Sequence, residues 1–235
     1  MPHSADTPSP LRIAAVLAVA VAGTLALVVL SLAISPNTQP GVAAYFHYQS
    51  AALGVAGVTV LAMRVVLGRS FRVLRIGHPA APARPIPVLG VKPGESWRKV
   101  GTTFWLITCI ATTGWLILAQ AGPTGAPLAA WITAVALAVP LAASNALVEE
   151  IVTRWTLVEG LTGRCARVAP FASALVFGSA HYMGVPGGLS GGLMAAFLAW
   201  LISLSIQDTR GLFWAIFIHF WLDVVIFATL LADRT

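Results

Sequence analysis

Three short stretches of this chain carry residue types that could do chemistry. They are Glu149-Glu150 followed by Arg154, Phe177 followed by His181, and His219 followed by Asp223. Each ionisable group interrupts an apolar run. A charged side chain at the centre of a membrane helix costs about 2.5–3.5 kcal/mol on insertion scales. Ionisable groups in such places are therefore functional candidates, and each needs a partner. Glu150 and Arg154 are four apart, share a helix face and can pair. Glu149 points about 100° away from Glu150 on a helix, which leaves it to face a cavity. His219 and Asp223 also share a face and can act together or orient each other.

Such a set suits hydrolysis by an activated water. A buried glutamate can take and return a proton, one histidine can share that work, and a second can donate to a developing oxyanion. Ser179 stands two residues before His181, but no nucleophile-elbow motif surrounds it, which disfavours a covalent serine mechanism. His181, His219, Glu149 and Asp223 are also suitable zinc ligands, although the chain lacks the His-Glu-x-x-His signature of metalloproteases. Plainer readings stand beside these: a polar helix end at the membrane interface, a histidine bonded to a neighbouring helix, an interhelical polar clamp.

The elements that must position these residues are membrane helices. The chain of 235 residues is 58% hydrophobic and 9% charged, with a mean hydropathy of +0.86. Soluble domains are about 45–50% apolar and about 25% charged. The expected fold is an all-α polytopic transmembrane bundle of about seven spans. These are Leu11–Ile34, Phe46–Leu67, Thr102–Ala121, a long run from Leu128, the short Val168–Tyr182, Leu189–Ile206 and Leu212–Leu231. Seven spans put all of the 14 lysines and arginines except Arg234 on one side, which places the N-terminus in the cytoplasm and the C-terminus outside. That bias explains the net charge of +6 without nucleic acid. Cys109 lies in an apolar run and Cys165 in a basic loop, so they read as free thiols.

Residues 1–100 read as an N-terminal hairpin followed by a basic, proline-rich cytoplasmic linker, with an extended Gly77–Gly94 stretch. Residues 101–235 hold all three motifs. Counting along the helices at about 1.5 Å per residue puts Glu149 and His181 about 16 Å, His219 about 12 Å and Asp223 about 18 Å from the cytoplasmic ends. The run Leu128–Gly160 is too long for one straight span, so it should kink at Pro140 or lie partly along the interface.

The order and spacing of Glu149-Glu150-x-x-x-Arg154, Phe177-x-x-x-His181 and His219-x-x-x-Asp223 resemble the CPBP family of intramembrane proteases, which includes CAAX prenyl proteases and Abi-type bacterial proteins. The resemblance covers roughly Leu128–Leu231. It implies a conical helix bundle with a site inside the membrane, open to the cytoplasm. Glu149 and His181 would activate water, His219 and Asp223 would stabilise the oxyanion, and Glu150, Arg154 and Phe177 would support them. Eukaryotic CAAX proteases carry asparagine where this chain has Asp223. An ionised aspartate cannot donate to an oxyanion, which leaves a protonated carboxyl, a role orienting His219, or metal binding. The metal-free glutamate mechanism is the preferred expectation, with no cofactor and zinc as the alternative. The small Ala/Val/Gly-rich chain looks bacterial, so the expected substrate is a peptide or membrane protein of the cell membrane. A non-catalytic immunity or scaffold protein and a proton-coupled transporter are the competing classes. No clear internal repeat supports the last.

The topology has a direct test. Cysteines placed at Thr38 and Ala80 should label from opposite faces of the membrane; labelling from one face refutes the seven-span reading.

Overall fold

The computed structural model describes residues 7–34, 42–68, 74–119, 125–184 and 187–232. Segments 35–41, 120–124 and 185–186 of the expected outer loops, with Arg69, Arg72 and Arg234, lie outside the described residues. The described chain is helical: α1 Pro10–Ala33, α2 Val42–Leu67, α3 Trp97–Ala119, α4 Leu128–Glu149, a π-helical turn Glu150–Trp155, α5 Thr156–Gly160, α6 Ala169–His181, α7 Gly188–Thr209 and α8 Phe213–Ala232. Helices satisfy their own backbone groups, which is why apolar runs of this length take no other form in lipid.

Among the described residues six helical stretches are long and apolar enough to cross a membrane. α6 corresponds to the short fifth span and has 13 residues, about 20 Å, so it does not span about 30 Å of hydrocarbon alone. Its brevity matters, because His181 is its last residue. The stretch from Leu128 to Gly160 is one long helical run, with Pro140 inside α4 and the π-helical turn below it.

α1 and α2 do not stand apart from the rest. They pack against α4, the π-helical turn and α5, and Val16, Ala20, Ala56 and Met63 share one core with Val152, Trp155, Leu157 and Ile202. The close approach depends on small residues: a Cβ at Gly160 would collide with Val16, and one at Gly23 with Val152. The Arg12 guanidinium donates to the Leu67 carbonyl at 3.3 Å, tying the start of α1 to the end of α2.

The proline-rich stretch is irregular, as its composition implies, but it is not a loose linker. Arg84 grips Asp208 at the end of α7 through Nε at 2.9 Å and Nη2 at 2.6 Å, and the Trp97 indole donates to the same carboxylate at 2.9 Å. Trp214 Nε1 donates to Pro79 O at 2.8 Å. Leu212 N to Arg75 O and His78 N to Thr209 O, both 2.8 Å, stitch the stretch to the α7–α8 turn. Gly77, at φ +80°, passes so close to Gly211 that neither position has room for a side chain.

α6 packs along α7, and α4 along α8. At Gly178 a Cβ would stand 2.7 Å from Ala196 Cβ and 2.8 Å from Gly192 O, a small-residue contact that lets two backbones meet. His181 follows less than one turn later. Gly178→Ala should destabilise the protein by about 1–3 kcal/mol through overpacking. Gly114→Ala, where nothing lies within 4 Å, should leave thermal unfolding in detergent unchanged or slightly improved.

Candidate active site

The site is built from the end of α4, the π-helical turn, the end of α6 and the middle of α8. Its anchor is Arg154, whose Nη1 lies 2.7 Å from Glu150 Oε1, with both side chains 0% exposed. The pairing of residues four apart is the one the sequence implies. The helix that carries it is wider than expected. All six residues of the π-helical turn are buried, and two threonine hydroxyls of this stretch bond back to its own carbonyls. Thr153 Oγ1 donates to Glu149 O at 2.7 Å, and Thr156 Oγ1 donates to Ile151 O, five residues back, at 2.9 Å.

Phe177 joins the pieces. The Arg154 guanidinium carbon stands 3.7 Å above its ring, a cation–π contact within a dry interior. The ring lies 4.0 Å from that of His181 and meets His219 edge-on at 5.8 Å. His181 Nδ1 is 3.0 Å from Phe177 O. A carbonyl only accepts, so Nδ1 carries the proton, and in the neutral ring Nε2 is the free acceptor.

His219 is bracketed by three carboxylates. Its Nδ1 donates to Glu150 Oε1 at 2.7 Å. Nε2 lies 3.5 Å from Glu149 Oε2 and 3.6 Å from Asp223 Oδ2. These last two are close approaches rather than firm hydrogen bonds. His219 and Asp223 are adjacent as expected, but they do not hold each other: His219 is held by Glu150, and Asp223 by Asn145, whose Nδ2 donates to Oδ2 at 3.0 Å. Asn145 Oδ1 in turn accepts from Gln49 Nε2 on α2 at 3.1 Å.

All seven expected site residues therefore meet in one place: Glu149, Glu150, Arg154, Phe177, His181, His219 and Asp223. His181, His219, Asp223 and Phe177 line a cavity of about 240 Å³ whose walls include Ile107, Met194, Leu198 and Ile226. The sequence reading missed Asn145, Gln49 and the two threonines of the π-helical turn. Asn145 had a visible signal, being an amide within an apolar run one turn before Glu149. Gln49 had the same signal on α2.

Among the described residues no group of three or more His, Cys, Asp or Glu side chains is disposed to hold a metal ion. The imidazole of His219 already gives Nδ1 to Glu150. The two cysteines are free, Cys109 on α3 and Cys165 in the basic turn.

Fold and site together define a polytopic helical membrane protein with a buried carboxylate–imidazole centre. Residues 128–225 match the family of Rce1-like type II CAAX prenyl endopeptidases, the stretch in which the motifs resemble those of intramembrane proteases. The matched stretch holds all seven site residues. The search of curated proteins and the search of solved structures gave no match.

The geometry separates the two adjacent glutamates by thermodynamic role. Removing the Glu150 carboxylate strands a fully buried guanidinium, so Glu150→Ala should cost about 3–5 kcal/mol. Glu149 Oε2 accepts no hydrogen bond, and its side chain is 15% exposed. Glu149→Gln, which breaks no hydrogen bond, should therefore cost much less thermal stability than Glu150→Ala.

Proposed function

We propose that the protein is an intramembrane endopeptidase that hydrolyses a peptide bond in a peptide or membrane-protein substrate, with Glu149 as the general base. The observation that carries this reading is the division of labour among the three carboxylates. Glu150 is committed to Arg154 and His219, and Asp223 to Asn145, while no side chain hydrogen-bonds the Glu149 carboxylate among the described residues. Glu149 is thus the acceptor left for a water.

In this mechanism Glu149 takes a proton from water, with Nε2 of His181 as the second acceptor for that water. The water oxygen attacks the carbonyl carbon and a tetrahedral oxyanion forms. His219 donates to it through Nε2–H. With Nδ1–H already given to Glu150, this requires the imidazolium, whose charge the surrounding carboxylates balance. Asp223 keeps Oδ2 for Asn145 and, when protonated, donates through Oδ1. Glu149 then returns its proton to the leaving nitrogen as the C–N bond breaks. No step runs through a metal.

The same reading puts the N-terminus in the cytoplasm. Its support is that the described basic residues other than the buried Arg154, namely Arg12, Arg64, Arg75, Arg84, Lys92, Arg98, Lys99, Arg164, Arg167 and Arg210, lie at the start of α1, at the end of α2, between α2 and α3 or on the first turn of α3, between α5 and α6, and between α7 and α8. The apolar walls of the cavity favour a membrane-embedded or strongly apolar segment around the scissile bond.

Purified protein in detergent, challenged with a peptide library, tests the mechanism. Glu149→Gln should lower kcat by about 10²–10⁴-fold, the usual worth of a general base. Cleavage by the parent should survive strong chelators. Undiminished cleavage by Glu149→Gln would refute the mechanism, and loss of cleavage on chelation that zinc restores would replace it with a metal-dependent one.

A further inference from the structure

The bond that orients Asp223 comes from a residue that none of the three motifs contains. Asn145 stands one turn before Glu149 on α4 and donates Nδ2–H to Asp223 Oδ2 at 3.0 Å. Its own oxygen accepts from Gln49 Nε2 at 3.1 Å, and Gln49 is only 4% exposed. The polarity of this chain is forced. A carboxylate oxygen can only accept, so Asn145 must turn its NH₂ toward Asp223 and its carbonyl toward α2, and Gln49 must turn its NH₂ toward Asn145. Three side chains from three helices thus point their dipoles the same way, each fixed by the one before it.

We propose that Gln49 and Asn145 are positioning residues: a two-amide relay from α2 through α4 that fixes which oxygen of Asp223 faces the cavity. With Oδ2 held by Asn145, Oδ1 is the oxygen left for the reacting carbonyl. His219 Nε2, 3.6 Å from Oδ2, stands beside the same carboxylate, so a rotation of Asp223 would change the field at both groups. The relay also makes α2 part of the site, although α2 lies outside the stretch that matches the protease family. The inference rests on the hydrolytic reading for its consequence in kcat, but the hydrogen-bonded chain itself does not.

An exchange of residues tests it. In the variant Asn145→Asp two carboxylates face each other across about 3 Å, so kcat should fall by about 10²-fold with KM little changed. In the double variant Asn145→Asp/Asp223→Asn the donor and acceptor trade places: the new amide at 223 donates to the new carboxylate at 145. Gln49 Nε2 can still donate to that carboxylate. The double variant should be at least about tenfold more active than the product of the two single losses predicts. Gln49→Leu, which removes the outer donor and keeps an apolar residue in an apolar helix, should lower kcat about 3–10-fold with KM unchanged. Thermal unfolding of Asn145→Asp, Asp223→Asn, their double variant and Gln49→Leu gives the coupling without reference to cleavage. If the parent cleaves, Glu149→Gln does not, and the single losses simply multiply in kcat, the relay is wrong while the hydrolytic reading stands. Coupling in thermal stability with none in kcat makes the pair merely structural and also overturns the positioning role. If the parent itself does not cleave, the hydrolytic reading fails, and with it the positioning role, whatever the thermal coupling shows.

Discussion

The ion pair between Arg154 and Glu150 is the constraint on which the site depends. Neither side chain reaches solvent, and an uncompensated charge at that depth would cost several kcal/mol. Everything near the pair serves it and is placed by it. The guanidinium lies on the Phe177 ring, the same Glu150 oxygen accepts from His219, and the Thr153 hydroxyl stands 3.5 Å from Arg154 Nη1. α4, α6 and α8 are thereby locked to one another through polar contacts at a level where lipid offers no alternative partners. Glu149, one residue earlier, gains its freedom from this arrangement, because its neighbour has taken the structural work.

The π-helical turn shows how the chain reconciles that pair with a helix. Over Glu150–Trp155 the helix is wider, and two threonine hydroxyls find partners in its own carbonyls, Thr153 on Glu149 and Thr156 on Ile151, which also accepts the Thr156 backbone N–H. The hairpin α1–α2 packs directly on this turn, with Gly23 allowing Val152 to come close. The clamp of Arg84 and Trp97 on Asp208 fastens the proline-rich stretch to the end of α7. A hairpin and linker that looked peripheral in the sequence are therefore packed into the same body as the catalytic candidates, and Gln49 reaches the site from there.

Much of the candidate site was legible in the sequence because the physics of the membrane makes polar residues conspicuous. Glu149, Glu150, Arg154, His181, His219 and Asp223 stand out against apolar runs, and a count of helical rise brought them to similar depths. The same logic would have found Asn145 and Gln49 had uncharged amides been weighed as heavily as charges. Pairings were harder to read. Residues four apart on one helix are neighbours by geometry, so Glu150–Arg154 followed from spacing alone. His219 with Asp223 met the same rule and yet each took a partner from another helix, because hydrogen-bond partners across helices depend on rotation and register that no spacing encodes.

The sequence by itself determined the helical class of the protein and which ionisable residues stand out from its apolar runs. Apolar length fixes helices in lipid, and the cost of burying charge restricts ionisable residues to places where they have partners. The tertiary structure alone decided which partner each one has. It widened the helix at Glu150, ended α6 at His181, joined Asp223 to α4 rather than to His219, and brought α2 into the site. These choices turn on the packing of small residues such as Gly178 and Gly23 and on the angles between helices. They are set by contacts between segments far apart in the chain, and local sequence carries no record of them.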